Sequence, residues 1–87
     1  MGSYRLLIKT SARKELEAVG DKADRQRLVR RIEGLADRAR PVGCEKLTGT
    51  ADRYRVRQGA YRIVYEIDDA RRAVTVVKVG HRRDFYR

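Results

Sequence analysis

The chain has 87 residues, enough for one domain, and 41% of them are hydrophobic, as in a folded protein. Lysine and arginine number 22 against 12 acidic residues, which gives a net charge of +10, and 17 of the 22 are arginine. Arginine presents a planar fork of donors that suits phosphate groups, so the composition favours recognition of a polyanion. The alternative is that a GC-rich genome encodes arginine-rich proteins in general, so that the bias reflects no particular ligand.

Several classes of protein are excluded by what the sequence lacks. It has no run of about 18 apolar residues and no basic-then-apolar leader, so we expect neither a membrane partner nor a signal peptide. Cys44 is the sole cysteine, which rules out an internal disulfide and suits a reducing, cytoplasmic location. With one histidine, one cysteine and no glycine-rich phosphate loop, we expect no metal and no cofactor. Cys44 itself is interpreted as structural or incidental.

The first half of the chain predicts a strand followed by two helices. In residues 4–10, Tyr4, Leu6 and Ile8 alternate with Arg5, Leu7 and Lys9, which suggests a strand. Ser11 can cap a first helix that Gly20 would end, and Asp21 opens a second helix that runs to Pro41. The tight turn between the helices indicates that they are antiparallel.

The second half changes to the two-residue period of a β-meander. Its three predicted strands are residues 54–57, 61–67 and 73–79. Gln58-Gly59 and residues 68–72 supply the turns between them. No linker or repeat divides the chain, so residues 1–87 form a single domain. The predicted fold class is α+β, in the order β-α-α-β-β-β, with two antiparallel helices packed on one face of a mainly antiparallel sheet.

Arginines occupy alternate positions in these strands. A two-residue turn pairs Arg55 with Arg62, whereas a four-residue loop pairs Arg57 with Arg62. Either register places four arginines on one face of the sheet, namely Arg53, Arg55, Arg57 and Arg62. No acidic residue falls between residues 53 and 65, and like charges facing each other across strands cost up to about 1 kcal/mol. RNA, DNA or an acidic protein would explain this pattern, and a solvated basic face is the alternative.

The segment that follows the last strand, residues 80–87, is a second candidate site. It contains His81, the residue type that most readily exchanges protons near neutrality. It also contains Tyr86, whose arginine neighbours would stabilise a phenolate and make it a candidate general base for a ribose 2′-hydroxyl. RNA carries its own nucleophile, so such an enzyme needs positioning, charge stabilisation and modest acid–base help. Alternatively, Phe85 or Tyr86 anchors this segment in the core.

Three stretches of the chain resemble the toxins of the RelE/ParE superfamily of type II toxin–antitoxin systems. They are KLTG (46–49), YRVRQGAYRIVYEID (54–68) and VKVGHRRDFYR (77–87). Together with the two-helix first half, the resemblance covers nearly the whole chain, and the ending GHRRDFYR is similar to the RelE branch. It implies a ribosome-dependent messenger-RNA endonuclease, which an antitoxin from the adjacent gene holds inactive in a hetero-oligomer.

The resemblance also implies roles for individual residues. Arg62 and Arg82 would stabilise the pentavalent phosphate. Tyr86 would deprotonate the 2′-hydroxyl, with His81 as a secondary acid or base. We add Lys46 and Arg53 as candidates for binding the RNA backbone to the two residues that the resemblance implies, Arg55 and Arg57. Some members have lysine at the last two of these positions, and because arginine stays protonated, proton transfer here falls to Tyr86 and His81.

Two other functions stay open on the sequence. A ParE-like poison of DNA gyrase would use the same scaffold to bind its target without chemistry of its own, although the complete tail of His81, Arg82 and Tyr86 argues against it. A plain RNA-binding domain or a decayed toxin would keep the basic face and lose catalysis. Assays of messenger-RNA cleavage on ribosomes and of DNA supercoiling separate these functions.

Overall fold

A computed structural model describes residues 3–49 and 52–85 of the chain. Its elements are β1 (Arg5–Ile8), α1 (Thr10–Glu17), α2 (Lys22–Asp37), β2 (Glu45–Lys46), β3 (Arg53–Gln58), β4 (Tyr61–Asp68), β5 (Ala73–His81) and a 3-10 helix (Arg82–Phe85). The strands form one sheet in the order β1-β5-β4-β3-β2. All neighbours are antiparallel except β1 and β5, which are parallel. The predicted α+β fold is confirmed, with β2 and the 3-10 helix as additions.

Helix α1 begins at Thr10, so the predicted cap at Ser11 is wrong. Lys9 is the N-cap residue, and its side chain makes no capping hydrogen bond. The Lys9 amide instead donates to the Val76 carbonyl at 2.9 Å. The chain therefore stays bound to the sheet up to the residue before the helix, which leaves no free turn for a serine cap.

Helix α1 also ends earlier than predicted, at Glu17 rather than near Gly20. Val19 is buried, and its carbonyl accepts a hydrogen bond from Arg25 Nη1 at 2.7 Å, which directs the chain into α2. Helix α2 opens at Asp21 as predicted, and the structure adds that Asp21 is its N-cap, since its side chain accepts from the Asp24 amide at 3.1 Å. Among the described residues, no helix has the length and apolar character needed to cross a membrane.

The hydrophobic core lies between the two helices and one face of the sheet. The helices contribute Ala12, Leu16, Leu28, Ile32 and Leu35, and the sheet contributes Tyr54, Val56, Ile63, Tyr65, Ile67, Val74, Val76 and Val79. The apolar face predicted for the second half is confirmed, and Tyr61 packs at its margin, partly buried. At the centre, the buried Tyr65 hydroxyl donates to the Ala39 carbonyl at 2.8 Å. Burial raises the pKa of this phenol, and the hydrogen bond satisfies its donor.

Strand β5 contains a β-bulge at Val77, which has no partner in β4. One extra residue shifts the alternation of side chains by one position. As a result, Val76 and Val79 both face the core, and Lys78 faces the opposite side. His81, two residues beyond Val79, therefore lies on the helix-facing side of the sheet.

Polar contacts close the end of the sheet where β4 turns into β5. Arg40 donates to Asp69 through both terminal nitrogens, at 2.9 and 3.3 Å, and the Tyr4 hydroxyl donates to the same carboxylate at 2.6 Å. The Nε of Arg40 also donates to the Tyr54 hydroxyl at 3.1 Å. These four residues, which we call the Arg40–Asp69 clasp, tie the loop after α2 to β3 and to the segment that precedes β1. The hydrogen bonds from Arg40 and then Tyr4 lower the pKa of Asp69.

Candidate nucleic-acid interface

Four arginines share the face of the sheet that is turned away from the helices, as predicted. Arg57 stands opposite Arg62 across the hairpin of β3 and β4, and residues 59–60 form its turn. The predicted turn at Gln58-Gly59 is wrong by one residue: Gln58 pairs with Tyr61, so a two-residue turn at 59–60 gives the pairing of Arg57 with Arg62 that was expected of a four-residue loop. Arg53 and Arg55 precede Arg57 at two-residue steps along β3, so alternation places them on the same face.

Two of these arginines have acidic partners, and the expectation of an acid-free face is wrong for them. Arg53 contacts Glu66, and Arg55 contacts Glu45, each at 2.6 Å between nitrogen and oxygen. Both acids lie outside the stretch from 53 to 65. Glu66 stands opposite Arg53 in β4, and Glu45 stands opposite Arg55 in the short strand β2, which the sequence did not predict.

A basic cleft opens where β2 stops. It has a volume of about 590 Å³, and its lining residues are Arg31, Gly43, Cys44, Glu45, Arg55, Arg57 and Arg62. Because β2 pairs with Tyr54 and Arg55 only, no described strand lies beside Arg57 on the side of β3 that faces away from β4, and the cleft forms there. Four guanidinium groups face one carboxylate, so the space, which we call the arginine cleft, attracts anions.

Arg62 is the most buried cation of the arginine cleft, with 7% of its surface exposed. Its neighbour in β3 is Arg57, and its neighbour in β5 is Gly80, which has no side chain. Two guanidinium groups held side by side repel each other. An oxyanion between them would offset this repulsion through charge-assisted, two-pronged hydrogen bonds.

Helix α2 contributes Arg31, a residue that the sequence analysis did not select. Its Nε is shielded from solvent and has no hydrogen-bond partner in the described ranges. Arg31 lies three residues after Leu28 and four before Leu35, within the buried stripe of the helix. This spacing is the signal that could have identified it. A cation within an apolar stripe is unusual, and its charged group needs a polar cavity or solvent nearby.

Glu45 partly neutralises the cleft. The hydrogen bond from Arg55 and, more weakly, the charges of Arg62 and Arg57 hold the pKa of Glu45 below its ordinary value. The carboxylate is therefore ionised at neutral pH and competes with any anion for Arg55. Cys44, beside it, is partly buried and packs against the core, in accord with a structural role.

His81 does not join the arginine cleft. Its ring contacts the Tyr61 ring edge to face, with 5.5 Å between centroids, on the helix-facing side of the sheet. The Nδ1 atom accepts from the Arg83 amide at 3.3 Å, and the His81 amide donates to Asp84 at 2.9 Å. The role in proton transfer stays a prediction, for a side chain on the opposite face from Arg62.

Arg82 is held at the same end of the sheet as the cleft. Its amide donates to the Ala60 carbonyl in the β3–β4 turn at 2.7 Å, while its side chain is exposed. The first turn after β5 is thereby fastened beside the Arg57–Arg62 pair. Tyr86, the predicted general base, lies outside the described residues.

Lys46 is separated from the other predicted RNA-binding residues. It stands opposite Tyr54 in the pairing of β2 with β3, whereas its neighbour Glu45 stands opposite Arg55. Alternation therefore directs Lys46 to the face opposite to the arginines, at the edge of the sheet and exposed. Its contact with RNA stays a prediction.

The arrangement can bind and stabilise an oxyanion. Guanidinium groups match the geometry of phosphate and remain charged at any physiological pH. Within residues 3–49 and 52–85, no three histidine, cysteine, aspartate or glutamate side chains are grouped closely enough to hold a metal ion. The one carboxylate that lines the cleft, Glu45, is ion-paired with Arg55.

Comparisons with known proteins place the chain among bacterial and archaeal toxins. A family model described as the ParE toxin of the type II toxin–antitoxin system parDE matches residues 6–86. The chain is also 43% identical over 42 residues to Toxin RelG of Mycobacterium tuberculosis (strain ATCC 25618 / H37Rv). That match covers 48% of this chain and 45% of RelG, so it spans just under half the length of this curated relative.

Solved structures with the same fold cover more of the chain. The archaeal RelE–RelB complex from Pyrococcus horikoshii OT3 matches with a TM-score of 0.81 and 28% identity, over 92% of this chain and 96% of that chain. The isolated RelE toxin of E. coli matches with a TM-score of 0.78 and 28% identity, over 91% and 84%. The RelB–RelE complex of Methanococcus jannaschii matches with a TM-score of 0.73 and 25% identity, over 92% and 94%.

Proposed function

Because the chain belongs to the RelE/ParE superfamily, the toxins of type II toxin–antitoxin systems, we propose that it is a ribosome-dependent messenger-RNA endonuclease that acts in the cytoplasm and inhibits translation. The observation that carries this proposal is the arginine cleft, in which Arg57 and the buried Arg62 stand side by side. The similarity to RelE structures over at least 91% of the chain supports the RelE branch.

In this mechanism the RNA supplies the nucleophile. The ribose 2′-hydroxyl attacks the adjacent phosphorus, and the bond to the 5′-oxygen of the next nucleotide breaks. The products are a 2′,3′-cyclic phosphate and a 5′-hydroxyl. Arg62 and Arg82 stabilise the negative charge that grows on the phosphate, while Arg57 and Arg55 hold the backbone. Removing one well-placed donor of this kind costs roughly 10²–10³ in rate.

Proton transfer is assigned to Tyr86, with His81 as a secondary acid or base. The position of His81 on the helix-facing side of the sheet leaves Tyr86 as the preferred base for the 2′-hydroxyl. Tyr86→Phe keeps the ring and removes the acid–base group, so we expect cleavage to fall by about 10² while ribosome binding persists. Full activity in this variant, measured on ribosome-bound messenger RNA, would transfer the role to His81.

The direct test of the function is cleavage of messenger RNA on ribosomes with mapped ends. We expect the wild-type chain to leave cyclic phosphates and a substrate with 2′-deoxyribose at the scissile position to resist. Arg62→Ala should lose about 10² in rate, with Arg62→Lys as a variant that keeps the charge and loses the fork. Arg13→Ala, an exposed change on α1, is the control. Equal activity of a folded Arg62→Ala would contradict the assignment of the cleft.

We also propose an antitoxin encoded by the adjacent gene as the partner, in a hetero-oligomeric complex. Several similar structures are complexes described as RelE with RelB, and this supports the assignment. Co-expression with the neighbouring gene should yield a stable complex and relieve growth inhibition. Growth inhibition by the chain that no neighbouring product relieves or binds would contradict this proposal.

A second function is favoured by one observation. The family model that matches residues 6–86 describes a ParE toxin, and a ParE-like chain would poison DNA gyrase by binding alone. Supercoiling assays with purified gyrase test this directly. Inhibition of supercoiling without cleavage of ribosome-bound RNA would select this function over the endonuclease.

A further inference from the structure

The arginine cleft contains a binding group that comes from a helix rather than from the sheet. We propose that Arg31 of α2 and Arg57 of β3 form a clamp for a phosphate of single-stranded RNA that lies in the cleft. The inference rests on the proposed function for the identity of the ligand, and it assigns to Arg31 a role in binding rather than in the chemical step.

The arginines of this face differ in whether their side chains already bind a carboxylate. Arg55 is bound to Glu45 at 2.6 Å, and Arg53, farther along β3, is bound to Glu66 at the same distance. The side chains of Arg31 and Arg57, in contrast, make no hydrogen bond or ion pair within the part of the chain that the structure describes. Their donors are therefore available to a ligand without the loss of a contact inside the protein.

The position of Arg31 in α2 also favours a role in binding. A residue between Leu28 and Leu35 on the apolar stripe is held against the core, so its side chain has few conformations to lose when a ligand binds. Its Nε donor is shielded from water and lacks an acceptor, which is an unfavourable state for a charged group. A bound anion would compensate this state electrostatically, while an apolar or cationic ligand would not.

The chemistry of the clamp selects its ligand. Two planar forks, one from a helix and one from a strand, suit a group with several equivalent oxygens, and a backbone phosphodiester has two such oxygens free. Four arginines in a space of about 590 Å³ can follow a charged backbone over more than one phosphate. Because Arg62 is assigned to the reacting phosphate, the clamp of Arg31 and Arg57 would hold a neighbouring one.

The experiment measures RNA binding without cleavage. A short single-stranded RNA with 2′-O-methyl sugars cannot react, and its affinity is followed by fluorescence anisotropy over a range of salt concentrations. Arg31→Ala should weaken binding about tenfold. It should also reduce the slope of log K against log salt concentration by about 0.7 in magnitude, the value for one lost contact to a phosphate of a single strand. Arg30→Ala is the matched control, because it removes the same charge from the same helix outside the arginine cleft.

The variant Arg31→Lys distinguishes the loss of a binding group from a loss of folding stability. Lysine keeps the charge but lacks the fork, so we expect an intermediate loss of about threefold, with a melting temperature close to that of the wild type. Equal losses for Arg31→Ala and Arg30→Ala would overturn the inference, and so would absence of binding by the wild-type chain at low salt. A chain that cuts no RNA but loses affinity at Arg31 alone would refute the proposed endonuclease and leave the clamp in place.

Discussion

The two ends of the sheet use arginine in opposite ways. At the end where β4 turns into β5, Arg40 is bound to Asp69 through two hydrogen bonds and also contacts Tyr54. At the end where β3 turns into β4, Arg57 stands opposite Arg62 and has no acidic partner among the described residues. At the first end opposite charges form an ion pair, whereas at the second end two arginines are neighbours across the strands.

This difference shows that the distribution of acidic residues, more than that of the arginines, distinguishes the candidate site from the rest of the sheet. A net charge of +10 identifies a basic protein, but it does not distinguish a cation that holds the fold from one that is available to a ligand. The distinction lies in whether a carboxylate is within reach. Glu66 and Asp69 occupy one end of the sheet, and Glu45 alone among the acids lines the arginine cleft.

The sharpest test of the comparison is a pair of substitutions on one strand. Arg57→Ala and Arg53→Ala remove the same charge from the same face of β3, four residues apart. We expect the first to weaken binding of 2′-O-methyl RNA about tenfold, because Arg57 lines the cleft, and the second to change it by about twofold or less. Equal losses in anisotropy titrations would mean that RNA reads the whole face and not one end.

A smaller effect is expected when an acid is neutralised. Glu45→Gln releases Arg55 and removes the carboxylate that competes with phosphate, so RNA affinity should rise by about threefold. Glu66→Gln is the control, because it removes the same charge from the partner of Arg53, outside the cleft. A gain that is the same for both variants would attribute the effect to net charge alone.

The smallest effect concerns the closed end. Arg40 lowers the pKa of Asp69, so the contribution of this carboxylate to stability is present above its unfolded value near 3.8 and is lost as the pH falls through the folded-state value. The urea midpoint of the wild-type chain should therefore fall more steeply below about pH 4 than that of Asp69→Asn. The difference is small because the pair is exposed. If the urea midpoints of the wild-type chain and of Asp69→Asn fell with pH in parallel, the Arg40–Asp69 ion pair would contribute nothing to stability.

Regular periodicity made much of this architecture predictable. Side chains alternate between the two faces along residues 53–58 and 61–67, so the shared face of Arg55, Arg57 and Arg62 followed from the sequence under either hairpin register. The helices were predicted from their apolar stripes, while their ends were set by contacts that the sequence does not display. The hydrogen bond from Lys9 to Val76 is one of these contacts.

The missed features have no periodic signal. A two-residue strand such as β2 shows no alternation, so the partner Glu45 was not expected on the face of Arg55. The run AVTVVKV in β5 is apolar at most positions and does not reveal a bulge at Val77. That single extra residue decides which face receives His81, so the separation of the histidine from Arg62 could not be read from spacing alone.

The parallel pairing of β1 with β5 has a consequence for the order of folding during synthesis. Arg5–Ile8 lie at the edge of the sheet, and within the described sheet their one partner strand is β5, at Ala73–Val76, near the other end of the described chain. Contacts so distant in sequence form late, because the chain must close a long loop before it gains them. We expect amide protection in β1 to appear last when stalled nascent chains are followed by hydrogen exchange. A protein proposed to attack translating ribosomes would then complete its fold only after Ala73–Val76 have emerged from the ribosome that makes it.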